Sequence, residues 1–315
     1  MKFRTKIVLN QAHNQIDYNS KLVLIGSCFS ENISEKLTYF KFNTYKNPFG
    51  ILFNPIAIEN LITKAINQTK FTEKDIFYLN ERWHCFEAHS NLSNVDKNTL
   101  LANLNTAVKQ THKNLNETSH LIITLGTSWV YRFIETDLIV GNCHKIPQKK
   151  FLKEILSVKS IIASLENIIT LVKNINPKIN IIFTISPVRH LKDGFVENSK
   201  SKAHLLAAIH QLIEPRKNIN YFPSYEIMMD DLRDYRFYKE DMIHPNKLAI
   251  QYIWEQFTTT WIHQEAFPIM KEVETIQKGL AHKPFNPNSK QHQQFLKTLT
   301  EKKKTLQNRF SHFTF

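Results

Sequence analysis

The sequence predicts an α/β fold: a doubly wound parallel sheet with a helical extension at its C-terminus. Three observations carry this. Short continuous apolar runs recur at Leu22–Ile25, His120–Leu125 and Lys178–Ile185, the pattern of strands buried on both faces. Helical patterns lie between them, and each run stops in a polar loop. Ligands of such sheets bind beyond the carboxyl ends of the strands. The loops at 26–30, 126–129, 186–190 and 241–246 are therefore expected to share one rim.

Residues 3–9 read as a peripheral strand, and the first sheet strand covers 21–26, stopped by Gly26. A helix over 29–40 follows, with Ser30 and Asn32 offering capping oxygens. Lys46-Asn-Pro-Phe-Gly-Ile-Leu-Phe-Asn-Pro55 is a loop punctuated by proline and glycine. Pro55 opens a helix to Ile66, because proline suits the first helical position. Residues 75–93 are aromatic-rich and mixed in period, an insertion with a strand or two. A helix over 96–115 leads to the strand His120–Leu125, and strands near 129–134 and 137–141 make a hairpin. A long helix over 158–174 stops before Pro177, and the third strand runs into Ser186-Pro187. A helix over 198–213, a strand Ile219–Phe222, and helices over 224–233 and 246–261 complete the pattern. The α/β body is read as residues 1–262 and the basic helical extension as 263–315.

At 315 residues and 42% hydrophobic content the chain can bury a sizeable core, which excludes disorder for most of it. No apolar run approaches the ~20 residues of a membrane span. The first 20 residues have no apolar signal core and no small-residue cleavage site. The three cysteines, Cys28, Cys85 and Cys143, are an odd count that fits a reducing compartment. A cytoplasmic location is expected. The net charge of +13 invites a nucleic-acid reading, but residues 271–315 hold nine Lys/Arg against three Glu in a scattered, helical pattern. That pattern, with the run Lys302-Lys-Lys304, is read as a solvated helix face, since no nucleic-acid-binding motif accompanies it. The partner expected is a small molecule, not nucleic acid.

Only six glycines occur, so each one more often answers a backbone need. Gly26 ends the first strand in Gly-Ser-Cys just before a helix. Such a turn puts one polar side chain at the edge of the sheet and aims free helix N–H groups at whatever binds there. Cys28 sits where that geometry lowers a thiol pKa. Asp241 and His244 lie three residues apart just before Pro245, a spacing that lets the carboxylate orient the imidazole. A nucleophile, a His that takes its proton and an Asp that holds the His form the logic of a catalytic triad.

Gly26-Ser27-Cys28-Phe29 followed by Ser30 resembles the name-giving motif of the GSCFA-domain family. The resemblance extends through Asn47-Pro-Phe-Gly-Ile-Leu-Phe-Asn-Pro55, Gly126-Thr-Ser-Trp-Val-Tyr131, Asn142-Cys-His-Lys145, Ser186-Pro-Val-Arg-His190 and Asp241-Met-Ile-His-Pro245. That family is similar to the SGNH/GDSL hydrolases, which are flavodoxin-like three-layer α/β/α esterases and acyl-transfer enzymes. The resemblance implies a three-layer α/β/α, flavodoxin-like (SGNH-hydrolase-like) fold and no cofactor. It places Cys28 at the nucleophile position, with Ser27 in reserve where an Asp usually stands. Gly50, in the turn begun by Asn47, matches a glycine that gives an oxyanion N–H. Gly126 is kept in the third block, while Ser128 stands where an Asn donor is usual. Asp241 and His244 match the final block fully.

Two departures bear on chemistry. A Cys nucleophile is oxidisable and shifts the substrate range, and a Ser in place of Asn shortens an oxyanion donor, whose loss costs on the order of 100-fold. The expected activity is ester hydrolysis or acyl transfer on a small-molecule or glycan acyl substrate. The alternative is a catalytically silent protein that holds a glycan or acylated ligand on the same rim. Arg189 and His190 either bind substrate there, or Arg189 pairs with the acidic stretch Asp230, Asp231 and Asp234. Trp129 and Tyr131 line a pocket or fill the core. Cys143 and His144, with His84, Cys85 and His89, offer metal-binding atoms but not metal-binding spacing, and no metal is expected.

Overall fold

The computed structural model describes residues 5–315. Five parallel strands form the central sheet: β1 (Lys21–Gly26), β2 (Asn43–Lys46), β5 (His120–Leu125), β9 (Asn180–Ile185) and β10 (Ile219–Phe222). Their spatial order is β10-β9-β5-β1-β2. Counted in chain order this is 2-1-3-4-5, the flavodoxin-like arrangement. The register sets Val23 beside Leu121 and Ile123 beside Phe183, so the three central strands are aligned at both ends.

Alternation along the strands builds two cores. Val23, Ile25, Leu121, Ile123, Ile181 and Phe183 face one layer of helices: α2 (Pro55–Ile66), α3 (Lys97–Glu117), α4 (Val158–Ile175) and α5 (Phe195–Leu212). Leu22, Leu24, Ile122 and Ile182 face the other. That layer holds α1 (Cys28–Tyr39), α6 (Ser224–Glu226) with a π-helical continuation over Ile227–Leu232, and α7 (Lys247–Trp261). The central strands are buried along nearly their whole length and mostly apolar because they are covered on both sides. Side-chain caps start the helices: Asn54 before Pro55, Asp96 at α3, Ser157 at α4 and Asn246 at α7.

Two antiparallel additions leave the sheet. One is the hairpin β3 (Ile76–Leu79) with β4 (Arg82–Cys85), within the stretch read as an insertion. The other is a three-stranded sheet, β7 (Leu138–Val140), β6 (Trp129–Phe133) and β8 (Phe151–Ile155), in that order. Strand β8 was not expected. The peripheral strand expected at 3–9 is corrected for its described part: residues 5–9 form no strand, and residues 3–4 lie outside the described residues. What ties the N-terminal segment down is a bridge from Ile16 to Ile262.

The C-terminal helices α8 (Ala266–Ala281) and α9 (Lys290–Arg309) are polar outside, as read. Their inner stripes are buried: Ile269, Val273, Ile276, Leu299 and Leu306 share one apolar cluster with Leu22, Phe29 and Trp261. Among the described residues, no helix is long and apolar enough to cross a membrane.

Candidate active site

The centre is the turn between β1 and α1. Gly26 has φ +146°, and a Cβ on it would stand 2.2 Å from the Thr124 carbonyl oxygen of β5. No other residue lets β1 turn this close to its neighbour. Asn47 fastens the turn: its Oδ1 accepts from Gly26 N at 2.9 Å, while its own N donates to Leu24 O at 2.9 Å. Ser27 is buried and caps α1, its hydroxyl accepting from Phe29 N at 3.3 Å. The capping expected from Ser30 and Asn32 is thereby corrected, because the helix already begins at Cys28. Ser30 lies inside it, and Asn32 donates back to Cys28 O.

Cys28 is the first residue of α1 and half-buried. The expected lowering of its pKa is overturned. Burial and the Glu31 carboxylate, one turn further along the helix, push the thiol above its ordinary value. The N–H groups at the helix start and the charge of Lys202 pull the other way and are outweighed.

Asp241 and His244 are brought together as the spacing predicts. Asp241 Oδ2 lies 2.7 Å from His244 Nδ1, and Asp241 Oδ1 accepts from Ile243 N and His244 N, both at 2.9 Å. Those two backbone N–H groups and then the imidazole hold the carboxyl down at about 2. The loop is tied to the end of β9, since Arg189 donates from N to Ile243 O at 3.3 Å and from Nη1 to Met242 O at 3.4 Å. Arg189 stacks on Tyr238, 4.0 Å from the ring centre, and pairs with no carboxylate among the described residues. The salt bridge considered for it is not formed.

Cys28, at the end of β1, and His244, held against the end of β9, thus stand over the same edge of the sheet. No hydrogen bond joins them. His190 stands beside Gly126 at this edge, and its ionisation is opposed by burial first and then by the charges of Lys202 and His244, which hold it at about 3. The neutral His190 ring rests on Phe53, and its Nε2 is buried without a partner. Gly126 makes room for it, for a Cβ there would be 3.1 Å from that nitrogen.

Two expected oxyanion donors are engaged elsewhere. Gly50 donates its N–H to Asn47 O at 2.8 Å; its φ of +73° and the contact its Cβ would make with His89, 2.4 Å away, explain why it is glycine. Ser128 is fully buried, and its hydroxyl bonds Ser201 of α5, 3.2 Å to the carbonyl and 3.1 Å to the hydroxyl. The buried side-chain nitrogens left without a partner near the turn are instead Asn47 Nδ2 and His190 Nε2. Beside His190 opens a cavity of about 430 Å³, lined also by Phe53, His89, Trp129, Tyr131 and Lys153.

Lys202 was not singled out from the sequence. It is fully buried on α5 and donates from Nζ to Gly126 O at 2.6 Å and Ser186 O at 2.7 Å. Burial lowers it to about 7, and the neighbouring Cys28 counteracts this in part. A signal existed: Asn198, Ser201, Lys202 and Leu205 fall on the inner stripe of the helix.

The histidines near Cys143 have structural partners. His84 contacts Ser93 Oγ at 2.7 Å and Leu79 O at 3.0 Å, and His144 contacts Cys85 O at 2.7 Å. No group of three or more His, Cys, Asp or Glu among the described residues could hold a metal ion.

The sequence profile of the GSCFA family matches residues 21–257, from the start of β1 into α7. The chain belongs to the GSCFA family. The profile of the GSCFA domain protein C-terminal domain matches residues 273–315, which are α8 from Val273 onward and α9. The GSCFA region therefore contains the Gly26–Cys28 turn, the Asn47–Gly50 turn, Lys202 and the Asp241–His244 loop. Among solved structures, the chain is similar to a carbohydrate esterase family 3 protein from Talaromyces cellulolyticus, with TM-score 0.37 and 10% identity over 80% of this chain and 99% of the other. It is also similar to a point mutant of an acetyl esterase with acetate ion, with TM-score 0.37 and 11% identity over 81% of this chain and 99% of that one. A comparison with curated proteins finds no match.

Proposed function

We propose that this GSCFA protein transfers acyl groups from esters, to water or to a second alcohol, with Cys28 as nucleophile. The observation that supports it most is the His244 ring, held at Nδ1 by Asp241 at 2.7 Å on the sheet edge where β1 delivers Cys28. Cys28 Sγ attacks the carbonyl carbon while its proton passes to His244 Nε2. The alcohol then leaves with that proton, and water or an acceptor alcohol attacks the thioester to restore the thiol. Asp241 fixes the tautomer and orientation of the ring. The Cys28 N–H, Asn47 Nδ2 and His190 Nε2 stabilise the oxyanion, a role supported by the two unpartnered side-chain nitrogens. Ser27, engaged as a helix cap, is given no part in the reaction. The 430 Å³ cavity with Trp129 and Tyr131 takes the acyl group or a sugar ring.

The test is turnover of an activated short-chain ester together with alkylation of the intact protein. Turnover abolished by Cys28→Ala and by His244→Ala is expected. Cys28 should also be alkylated ahead of Cys85 and Cys143, which burial raises to about 12 and about 11. Absence of turnover with no preference for Cys28 sinks the reading. A second reading, a silent binder of a glycan or acylated ligand, is favoured by the raised thiol and by Glu31 beside it. It predicts ligand retention without turnover.

A further inference from the structure

The turn Asn142-Cys-His-Lys145 stands out in the sequence and has no part in the chemistry above. His144 and Lys145 both have left-handed backbone, with φ of +47° and +63°, which persists in such residues only where the surroundings impose it. Asn142 Oδ1 accepts from His144 N at 2.8 Å, and Gly141 N and Asn142 N donate to Phe86 O at 2.8 and 3.1 Å. His144 Nε2 meets the Cys85 carbonyl at 2.7 Å, which assigns the ring hydrogen to Nε2 and leaves Nδ1 a lone pair. That nitrogen is buried without a partner. Burial keeps the ring uncharged, at about 4, against the pull of the Cys85 and Ala88 carbonyls.

Three cavities meet at this turn. Asn142 lines both the 430 Å³ cavity beside His190 and a second of about 630 Å³. Cys143, with Tyr131 and Lys192, joins the first to a third of about 460 Å³, and Lys145 joins the second to the third. Four Lys and Arg side chains line them: Arg82, Lys145, Lys153 and Lys192. Asp193 is the one carboxylate among the lining residues, and it is taken by Lys153. Arg82, Lys145 and Lys192 pair with no carboxylate among the described residues, although Arg82 donates to Ser93 O. Concave walls of one sign concentrate anions. Amides complete the second cavity: the side chains of Asn80 and Asn91 line it and make no hydrogen bond among the described residues.

We infer that the surface around the Asn142–Lys145 turn binds an anionic glycan of more than one sugar, whose acid groups meet Arg82, Lys145 and Lys192. Amides and the lone pair of His144 suit sugar hydroxyls, which both donate and accept. A glycan fits better than a nucleic acid strand, because one of the three free cations is arginine, the residue that grips phosphate in pairs. It also carries the hydroxyls on which an acyl group can sit. The inference rests on the acyl-transfer reading only in placing the acylated sugar in the 430 Å³ cavity. The neighbouring sugars then occupy the other two.

Calorimetric titration of the full chain at low salt tests this, with trigalacturonate, a phosphorylated maltotriose and neutral maltotriose as probes. One of the two charged trisaccharides should bind about tenfold or more tighter than maltotriose, and which one tells carboxylate from phosphate as the anion. Lys145→Asn, which tolerates the left-handed backbone, and Lys192→Gln should each weaken that binding about threefold, and together about tenfold. Neutralising Lys302, Lys303 and Lys304 to Gln on α9 should leave it unchanged. Equal affinity for maltotriose, or a loss in the α9 variant as large as in K145N, overturns the inference. Tighter binding of an oligouridylate of equal charge overturns it in favour of nucleic acid. Should the variants fail to fold, reductive methylation of the natural chain serves instead. Trigalacturonate or the phosphorylated maltotriose should protect Lys145 and Lys192 but not Lys302–Lys304, and uniform protection refutes the site. Glycan binding without ester turnover leaves the surface standing and removes the acyl-transfer reading; turnover of a simple ester with no preference for charged glycans does the reverse.

Discussion

Lys202 and Asp241 are opposite cases of one physical rule, a charge kept where its surroundings either resist or welcome it. Between pH 7 and the ordinary lysine range, the unfolded chain binds a proton at Lys202 that the folded chain does not. Stability therefore increases with pH over that window, by an amount on the order of a few kcal/mol. Chemical denaturation from pH 7 to 10 should show this slope, and K202M should flatten it. Asp241 is depressed to about 2, so its contribution is present above the ordinary carboxylate value and vanishes as pH falls through about 2. The Asp241 carboxylate should stay ionised in mild acid, visible as an unchanged Asp241 carboxyl carbon environment by NMR down to pH 4. Asp241→Asn removes the charge and supplies an amide that orients the ring wrongly, and ester turnover should fall roughly 100-fold or more. Residue types and spacings were readable here: Gly26, Cys28, Asp241 and His244 stand out by motif. Side-chain direction was not. Ser128 occupies the donor position of the related pattern, yet its hydroxyl turns into α5 to meet Ser201, and nothing in its neighbours' identities says so.

At the scale of the element, the β1–α1 turn depends on the absence of one carbon. Gly26→Ala sets a Cβ 2.2 Å from backbone that cannot move without breaking the β1–β5 register, at a cost of about 3 kcal/mol or more. Gly194 is a useful contrast: φ is +91°, but nothing lies within 4 Å of its would-be Cβ. Gly194→Ala meets backbone strain alone, about 1–3 kcal/mol, and thermal melts of the two variants measure the difference. The central strands were legible because burial on both faces leaves an unbroken apolar run, as in Leu22–Ile25. Strand β8, Phe-Leu-Lys-Glu-Ile, was not, since it follows two lysines and has charge at its centre. Its Lys153 and Glu154 find partners only in the fold, Asp193 and Arg132. Residues 5–9 erred the other way: their β-prone residues form no strand among the described residues.

For the whole molecule, composition read the tail as a solvated attachment, and its charge is indeed outside. Helical period carries the rest, because Leu299 and Leu306 fall on one stripe and are buried with Phe313. Ending the chain after Ser289 should expose that cluster, lower Tm by several degrees and raise binding of a hydrophobic dye. Unchanged melting would show that α9 contributes nothing to the body it rests on.

The bridge from Ile16 to Ile262 sets an order of events during synthesis. Ala12 N and Ile16 N bond to the carbonyls of Thr260 and Trp261, and His263 N returns to Ile16 O. Leu22, Leu24 and Phe29 wait for Trp254, Phe257 and Trp261 to cover them. A ribosome must therefore release some 250 residues before the first strand acquires its second roof, and until then the nascent chain shows a greasy flank that chaperones recognise.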